Sequence, residues 1–541
     1  MKMKKRLLAL FVALTMLTGC AANEGGGTGG ESQGSAGAQE LRLAFAVEPA
    51  TIDPQKCTLM GEATVMLHMF EGLYRLDGTK VVPAGAKSYE VSKDGLTYTF
   101  HLRDGAKWSD GKEVTADDFK FGFERLVDPA TASPGAYLAG MIKNATKINK
   151  GEMDVSKLGV EAVDDKTIKF NLEYPAPYFP GMLSTAAFLP ARRDLVKKYG
   201  KEYGTSPEKL AYNGPFKATK WTHGEEMVLE RNENHWDAAN VKLNKVSIQI
   251  IPDPSTQLGM YENGELDYVE VPTELAANYP DAKKYSTGGV DYLQVSFVNG
   301  KYYSNKNFRK AISAALDREE YVKMAFGGVS EPAKRYVLPD VLGVKGTYGE
   351  EYPLEAFPAN AEPEKAKEYL AAAMKELGVS SPGTIEITLS TADTEDSRKG
   401  AEVIQEQLTK NLGIKVKVNQ MASKQYWANW AKSDFEFMVG GWTPDYSDPR
   451  TYLDLYISGS GSNRGVYKNP AYDELLEKSN TNDLKTRFDA LFEAEKIVCD
   501  DLPIIPLDVR KKQYLINEKL KNFQPSFVQL NYNWLHAEFT E

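Results

Sequence analysis

The stretch TIEITLSTADTEDSRKGAEVIQEQLTKNLGIKVKV, Thr384 to Val418, decides the fold. Its first seven residues, Thr384 to Ser390, alternate apolar and polar side chains with a period of two, which predicts a strand. From about Ser397 the period changes. Ala401, Ile404, Leu408 and Leu412 recur at three- and four-residue intervals and so lie along one face of a helix. Gly413 ends that helix, because glycine enters the left-handed backbone of a helix C-terminus without a Cβ penalty, and Ile414 to Val418 predicts a second strand. Strand, helix and strand in this order form a βαβ unit, whose two strands run parallel.

Working outward, a further helix around Gln425 to Lys432 leads into DFEFMVGGWTPDYSDPRTYL, Asp434 to Leu453. The run Phe435 to Val439 is short and apolar throughout, which predicts a central parallel strand buried on both faces. Gly440 and Gly441 then predict a turn at its carboxyl end, the place where open parallel sheets collect ligands. Asp445 falls there between Trp442 and Tyr446, with Trp427 and Trp430 close by in sequence. An acid among aromatics has two readings. It caps a local turn, as Asp and Pro favour in TPDYSDP, or it is a counter-charge awaiting a cation. Upstream, Leu96 to Leu102 and Thr167 to Glu173 alternate strictly and predict half-buried strands, the second with Ile168, Phe170 and Leu172 inward. Between them Thr115 and Asp118 open a helix as a capping box, Phe119, Phe123 and Leu126 share one face, and Asp128-Pro129 stops it.

The chain has 541 residues and is 42% hydrophobic, enough for several cores. A net charge of -10 excludes the basic face that a nucleic-acid partner requires. Residues 1–19 combine a basic head with a short apolar run and read as a signal peptide. Leu17-Thr18-Gly19-Cys20 matches the bacterial lipobox, so Cys20 is expected to carry lipid, and the Gly-rich segment to residue 40 is expected to be a flexible tether. The protein would then be anchored to a membrane and work outside the cytoplasm. Cys57 and Cys499 read as small buried residues, with a disulfide between them left open. The five histidines are scattered, and neither metal-ligand spacings nor nucleophile or phosphate-loop motifs occur, so no metal, no cofactor and no catalytic residues are expected. The acid pairs Asp117-Asp118 and Asp164-Asp165 fall in a helix's first turn and in a turn before a strand.

Several segments, in this order behind a lipobox, carry a resemblance: EPATIDPQ (Glu48 to Gln55), LTYTFHLRDGAKWSDGKEVTADDF (Leu96 to Phe119), YNGPFK (Tyr212 to Lys217), RNENHWD (Arg231 to Asp237), YENGELD (Tyr261 to Asp267), NFRKAISAALDRE (Asn307 to Glu319) and GGWTPDYSDP. The chain resembles the solute-binding proteins of bacterial ABC importers, in the class that includes oligopeptide- and dipeptide-binding proteins. The resemblance implies a two-lobed α/β fold of the periplasmic-binding-protein kind, with mixed sheets flanked by helices and a ligand cleft between the lobes. One lobe would comprise 41–70, 195–297 and 513–541 with an additional domain at 71–194, and the other 298–512. It implies a monomeric, membrane-anchored binding component, not an enzyme, that passes oligopeptides to permease subunits. A dipeptide, nickel chelate, haem or peptide signal is the alternative solute, and a lipid-anchored hydrolase the alternative class. Asp445 would meet the ligand's α-ammonium, Gly441 and Thr443 its backbone and Trp442 its side chains, with Tyr446 also a ligand-binding residue and the segment Cys57 to Met60, through Thr58 and Met60, as the opposite wall. Where oligopeptide binders place a tyrosine after the Ser-Pro of TASP this chain has Gly135, which makes Tyr137 the substitute. Where they carry an arginine before the glycine pair it has Val439, and Leu507-Asp508 replaces tyrosines near the final return, so only Lys432 offers a base for the ligand's carboxylate.

Overall fold

The computed structural model describes residues 39–540 except 79, 299–301, 527 and 529. The signal segment and Cys20 therefore lie outside the described residues. Among the described residues the largest sheet has seven strands. Its path runs Tyr268–Glu270, Ile504–Ile516, Lys283–Val295, Phe437–Trp442, Glu386–Ala392 and Lys415–Met421, and Glu331–Pro332 pairs with Ile504–Ile516 off this path. A four-stranded sheet orders Glu40–Phe45, Lys245–Ile250, Glu226–Arg231 and Phe216–Thr222, and an antiparallel one orders Ala86–Val91, Thr97–Leu102, Thr167–Asn171 and Val160–Asp164.

The βαβ unit is present as Glu386–Ala392, the helix Glu395–Leu412 and Lys415–Met421, with parallel register from Glu386 opposite Lys415 to Ala392 opposite Met421. Ala401, Ile404, Leu408 and Leu412 are buried, and Gly413 closes the helix at φ 70°. The first strand starts two residues later than the alternation predicts because Pro382–Thr384 forms a 3-10 turn. Thr97–Leu102 and Thr167–Asn171 pair with each other, and Phe100 meets Phe170 edge-on in the core beneath. The helix Ala116–Val127 opens with the expected box, in which Thr115 N donates to Asp118 Oδ2 at 2.9 Å.

The strand after the unit corrects one expectation. Phe437–Trp442 is central, but only its pairing with Glu386–Ala392 is parallel; on its other side it runs antiparallel to Lys283–Val295. Gly440 and Gly441 belong to this strand and make no turn. They are glycines because neighbours press on them. A Cβ on Gly440 would lie 1.8 Å from the Trp430 ring, and one on Gly441 2.1 Å from an Asp291 carboxylate oxygen.

Three apolar clusters fill the molecule. One draws on residues 41–268 and 520–537, with Tyr446 added from elsewhere in the chain. The other two cover opposite faces of the seven-stranded sheet: Leu293, Leu389, Phe437 and Leu507 on one side, Val290, Tyr292, Met438 and Ile504 on the other. Cys57 and Cys499 are unpaired, in different clusters, and burial, with Glu62 adding to it, pushes the Cys57 thiol up to about 12.

Candidate functional site: a free strand edge ending in a carboxylate

Every residue of Phe437–Trp442 pairs with Lys283–Val295, but only Phe437 and Met438 pair with Glu386–Ala392. The edge of Val439 to Trp442 on that side has no strand partner among the described residues. A Tyr426 hydroxyl donates to the Val439 carbonyl at 2.8 Å, which leaves Gly440 to Trp442 as open backbone. Unpaired strand backbone is a template for another extended chain.

Just past this edge the chain turns through Pro444 to Asp445. Thr451 holds the turn, since its hydroxyl accepts from Asp445 N at 3.0 Å and from the Trp442 ring nitrogen at 3.4 Å. The two acids of PDYSDP divide the work. Asp448 is buried and structural: its carboxylate accepts from Arg450 N at 2.9 Å and from Arg487 at 2.7 Å. Asp445 caps no amide among the described residues. Its one recorded side-chain bond is from the Tyr137 hydroxyl to Oδ2 at 2.9 Å, and Oδ1 has no hydrogen-bond partner among the described residues. Burial raises this carboxyl to about 6 and the Tyr137 bond opposes the rise. No cation among the described residues compensates it, so it is a carboxylate whose charge is held at a cost and would be relieved by an arriving ammonium.

Beneath Gly441 lies an ion pair that the sequence did not announce. Arg510 Nε sits 2.9 Å from Asp291 Oδ1, and Asp508 is directly opposite Asp291 across the strand pair. Burial, reinforced by the neighbouring Asp291 charge, pushes Asp508 well above the usual carboxylate range. Alternation of Asp508 and Arg510 on one strand face was the only available signal.

The structure brings together Gly441, Trp442, Asp445 and Tyr137. Trp427, Trp430 and Trp442 line a common cavity beside the free edge, with Gly441 at its base. Thr443 is half-buried between Trp442 and Asp445. Tyr446 is buried elsewhere, stacked on Tyr178 with ring centroids 5.4 Å apart. Thr58 precedes the helix Met60–Met69, and its amide and that of Leu59 are taken by Glu62 at 2.7 and 3.0 Å. No hydrogen bond or ring contact links Thr58 or Met60 to the Asp445 group among the described residues. Lys432 is exposed in the last turn of Ser423–Lys432. No cluster of three metal-ligating side chains and no helix able to cross a membrane occurs among the described residues.

Comparison with known proteins agrees with this architecture. The family described as bacterial extracellular solute-binding proteins, family 5 Middle, matches residues 80–464. The chain is 33% identical over 532 residues to the dipeptide-binding protein DppE of Bacillus subtilis, covering 96% of this chain and 97% of that one. It is 32% identical over 536 residues to the oligopeptide-binding protein OppA of the same organism, with the same coverage. The structure of Listeria monocytogenes OppA bound to peptide superposes with a TM-score of 0.77 at 32% identity, over 94% of this chain and all of that one. With most of its length matched by the family and by relatives on this scale, the chain belongs to the bacterial extracellular solute-binding proteins of family 5.

Proposed function

We propose that the protein captures oligopeptides outside the cytoplasm and delivers them to the permease of an ABC importer. The observation that carries this reading is the unpaired backbone of Gly440 to Trp442 leading to a carboxylate with one unengaged oxygen. An extended peptide adds to the edge by main-chain hydrogen bonds, and its α-ammonium meets Asp445. Because Asp445 lies at the carboxyl end of the strand, the peptide's amino terminus is there too and the ligand runs antiparallel to Phe437–Trp442. Gly441 and Thr443 bond its backbone, Trp442 lines a side-chain pocket, and Tyr137 orients Asp445. Thr58 and Met60 keep their proposed places on the opposite wall of the cleft, whereas Tyr446, expected to meet the ligand, is buried in its stack on Tyr178 and acts behind the wall.

The two lobes are residues 41–70, 195–297 and 513–541 with the additional domain 71–194, and residues 298–512. The division between the first apolar cluster and the other two supports this in part: Tyr446 is the one residue of 298–512 in the first cluster, while Val290, Tyr292, Leu293 and Val295, from the end of 195–297, pack in the other two. The strand Ile504–Ile516 crosses from one to the other, and Lys283–Val295, its partner, leads up to the boundary at 297. Their pairing shifts register between Ser286 and Val290, and Gly288 there has φ 73°, a place where hinge motion costs little. The protein acts as a monomer tethered through a lipidated Cys20.

Native mass spectrometry of protein purified from cells should reveal co-purified peptide mass. Ligand-stripped protein should gain thermal stability with peptides of two to ten residues; no shift with any of them defeats the peptide reading. Cys20→Ser should release the protein from membranes, and a variant still membrane-bound and lipid-modified defeats the anchor.

A further inference from the structure

We infer that Arg464 makes the cavity beside the free strand edge a carboxylate-binding subsite, an inference that rests on the peptide reading above. The cavity holds about 230 Å³, room for one large side chain or chain end, and Trp427, Trp430, Trp442, Tyr292 and Tyr456 wall it along with Arg464. The walls other than Arg464 are neutral, and half of their residues are aromatic. Arg464 is half-buried, yet its side chain makes no hydrogen bond or ion pair among the described residues. Other arginines in this part of the chain are paired: Arg510 with Asp291, Arg450 with Asp454 and Arg487 with Asp448. Arg510 also borders Gly441, but a ligand anion there would have to displace Asp291. Arg464 has no such competitor.

The loop that carries it is fixed. Asn463 is buried and donates to the carbonyls of Ile457 and Tyr467 at 3.1 and 2.7 Å while accepting from Tyr467 N at 3.0 Å. Gly465 is pressed on the central sheet so closely that a Cβ would lie 2.3 Å from the Val295 carbonyl oxygen. A guanidinium on a rigid loop against aromatic walls is pre-organised, and its planar fork matches a carboxylate. The position along the cleft fits. Gly441 lies four residues before Asp445, and because the chain turns between them their separation is below the roughly 13 Å of a fully extended stretch. A peptide with its ammonium at Asp445 therefore reaches the cavity within its first four residues. The carboxylate comes either from the carboxyl terminus of a short peptide or from an acidic side chain among those residues.

Calorimetric titration separates the sources. Ala-Ala-Ala and Ala-Ala-Ala-Ala would be compared with their carboxyl-terminal amides, and Ala-Ala-Glu-Ala amide with Ala-Ala-Gln-Ala amide. A charge-assisted bond predicts that at least one acid form binds about 10- to 100-fold tighter than its neutral twin. Arg464→Met should bind each pair's two members equally, and Arg464→Lys should restore part of the preference. Equal binding of every acid and neutral pair by the original protein overturns the inference. So does an Arg464→Met variant that keeps the preference, or that loses acid and neutral peptides by the same factor while still folded. A protein that binds none of these peptides overturns the peptide reading and this subsite with it, whereas indifference to the carboxylate overturns the subsite alone.

Discussion

At the scale of the residue, Asp445 is distinguished from Asp448 by what surrounds it. Three positions apart in one turn-forming stretch, they are indistinguishable by composition. One is neutralised by Arg487, while the other faces only the Tyr137 hydroxyl among the described residues. Asp445→Asn keeps the shape and removes the charge. It should weaken peptide binding by about 1.5 to 3.5 decades, since a buried charge pair broken on one side costs about 2 to 5 kcal/mol. N-acetylating the peptide should cost the original protein a comparable amount and the variant little more, because the interaction is already gone. Strictly additive losses in calorimetry would refute the pairing. The raised carboxyl gives a pH signature as well. It must be ionised to hold the ammonium, so affinity should be flat above about pH 6 and fall below it. The sign for stability is opposite. Between the ordinary carboxylate value and about 6 the ligand-free folded protein holds a proton that the unfolded chain has lost, so stability falls as pH rises through that window. Asp445→Asn should therefore be more stable than the original at pH 7, by on the order of 1 to 3 kcal/mol, with the gain vanishing below about pH 4. Denaturation at the two pH values checks it.

At the scale of the element, the helix Glu395–Leu412 and its flanking strands were readable because each local signal agrees with the others: period, apolar face and terminal glycine all point to one arrangement. Phe437–Trp442 was half readable. Its apolar run marks a buried strand, but a glycine pair is equally compatible with a turn and with crowding, and only the tertiary neighbours Trp430 and Asp291 decide between them. Nothing in the sequence near Gly441 announces Arg510, 69 positions later, or joins Tyr137 to Asp445 across a separation of 308. Arg464 is invisible for the same reason, since a lone arginine in a Gly/Ser-rich loop reads as solvated. The crowding account is testable. Gly440→Ala should destabilise by about 1 to 3 kcal/mol, as overpacking against the nearly buried Trp430 ring forces the strand and helix apart. Gly259→Ala, in the helix Pro254–Glu262 with open space around its Cβ, should instead stabilise by about 0.5 to 1 kcal/mol. Denaturant midpoints that move in the same direction for both would contradict the account.

At the scale of the whole molecule, the proposed lobes touch through groups that do not belong to the free strand edge. Tyr446 stacks on Tyr178 of the additional domain, and Arg487 lies over the same ring with its guanidinium 4.8 Å from the centroid. We propose that this contact forms as the lobes close, so that it and a ligand gripped between them draw on one equilibrium. Peptide at a hundredfold excess over Kd should stabilise the protein by about 2.7 kcal/mol, because it binds the native state alone. Weakening the Tyr178 contact should have the converse effect on affinity. An aromatic pair is worth about 0.5 to 1.5 kcal/mol beyond its buried area, so Tyr178→Leu lowers the population of the closed form and weakens binding by about two- to tenfold. The loss must be the same for every peptide, since Tyr178 recognises none of them, and it must be the same for free and N-acetylated forms. That uniformity separates closure from recognition: Asp445→Asn should remove one chemical preference, whereas Tyr178→Leu should scale all affinities together and enlarge the radius of gyration of the ligand-free protein in solution scattering. A Tyr178→Leu variant with unchanged affinities, or with losses that depend on the peptide's amino terminus, would show that the stack does not report closure.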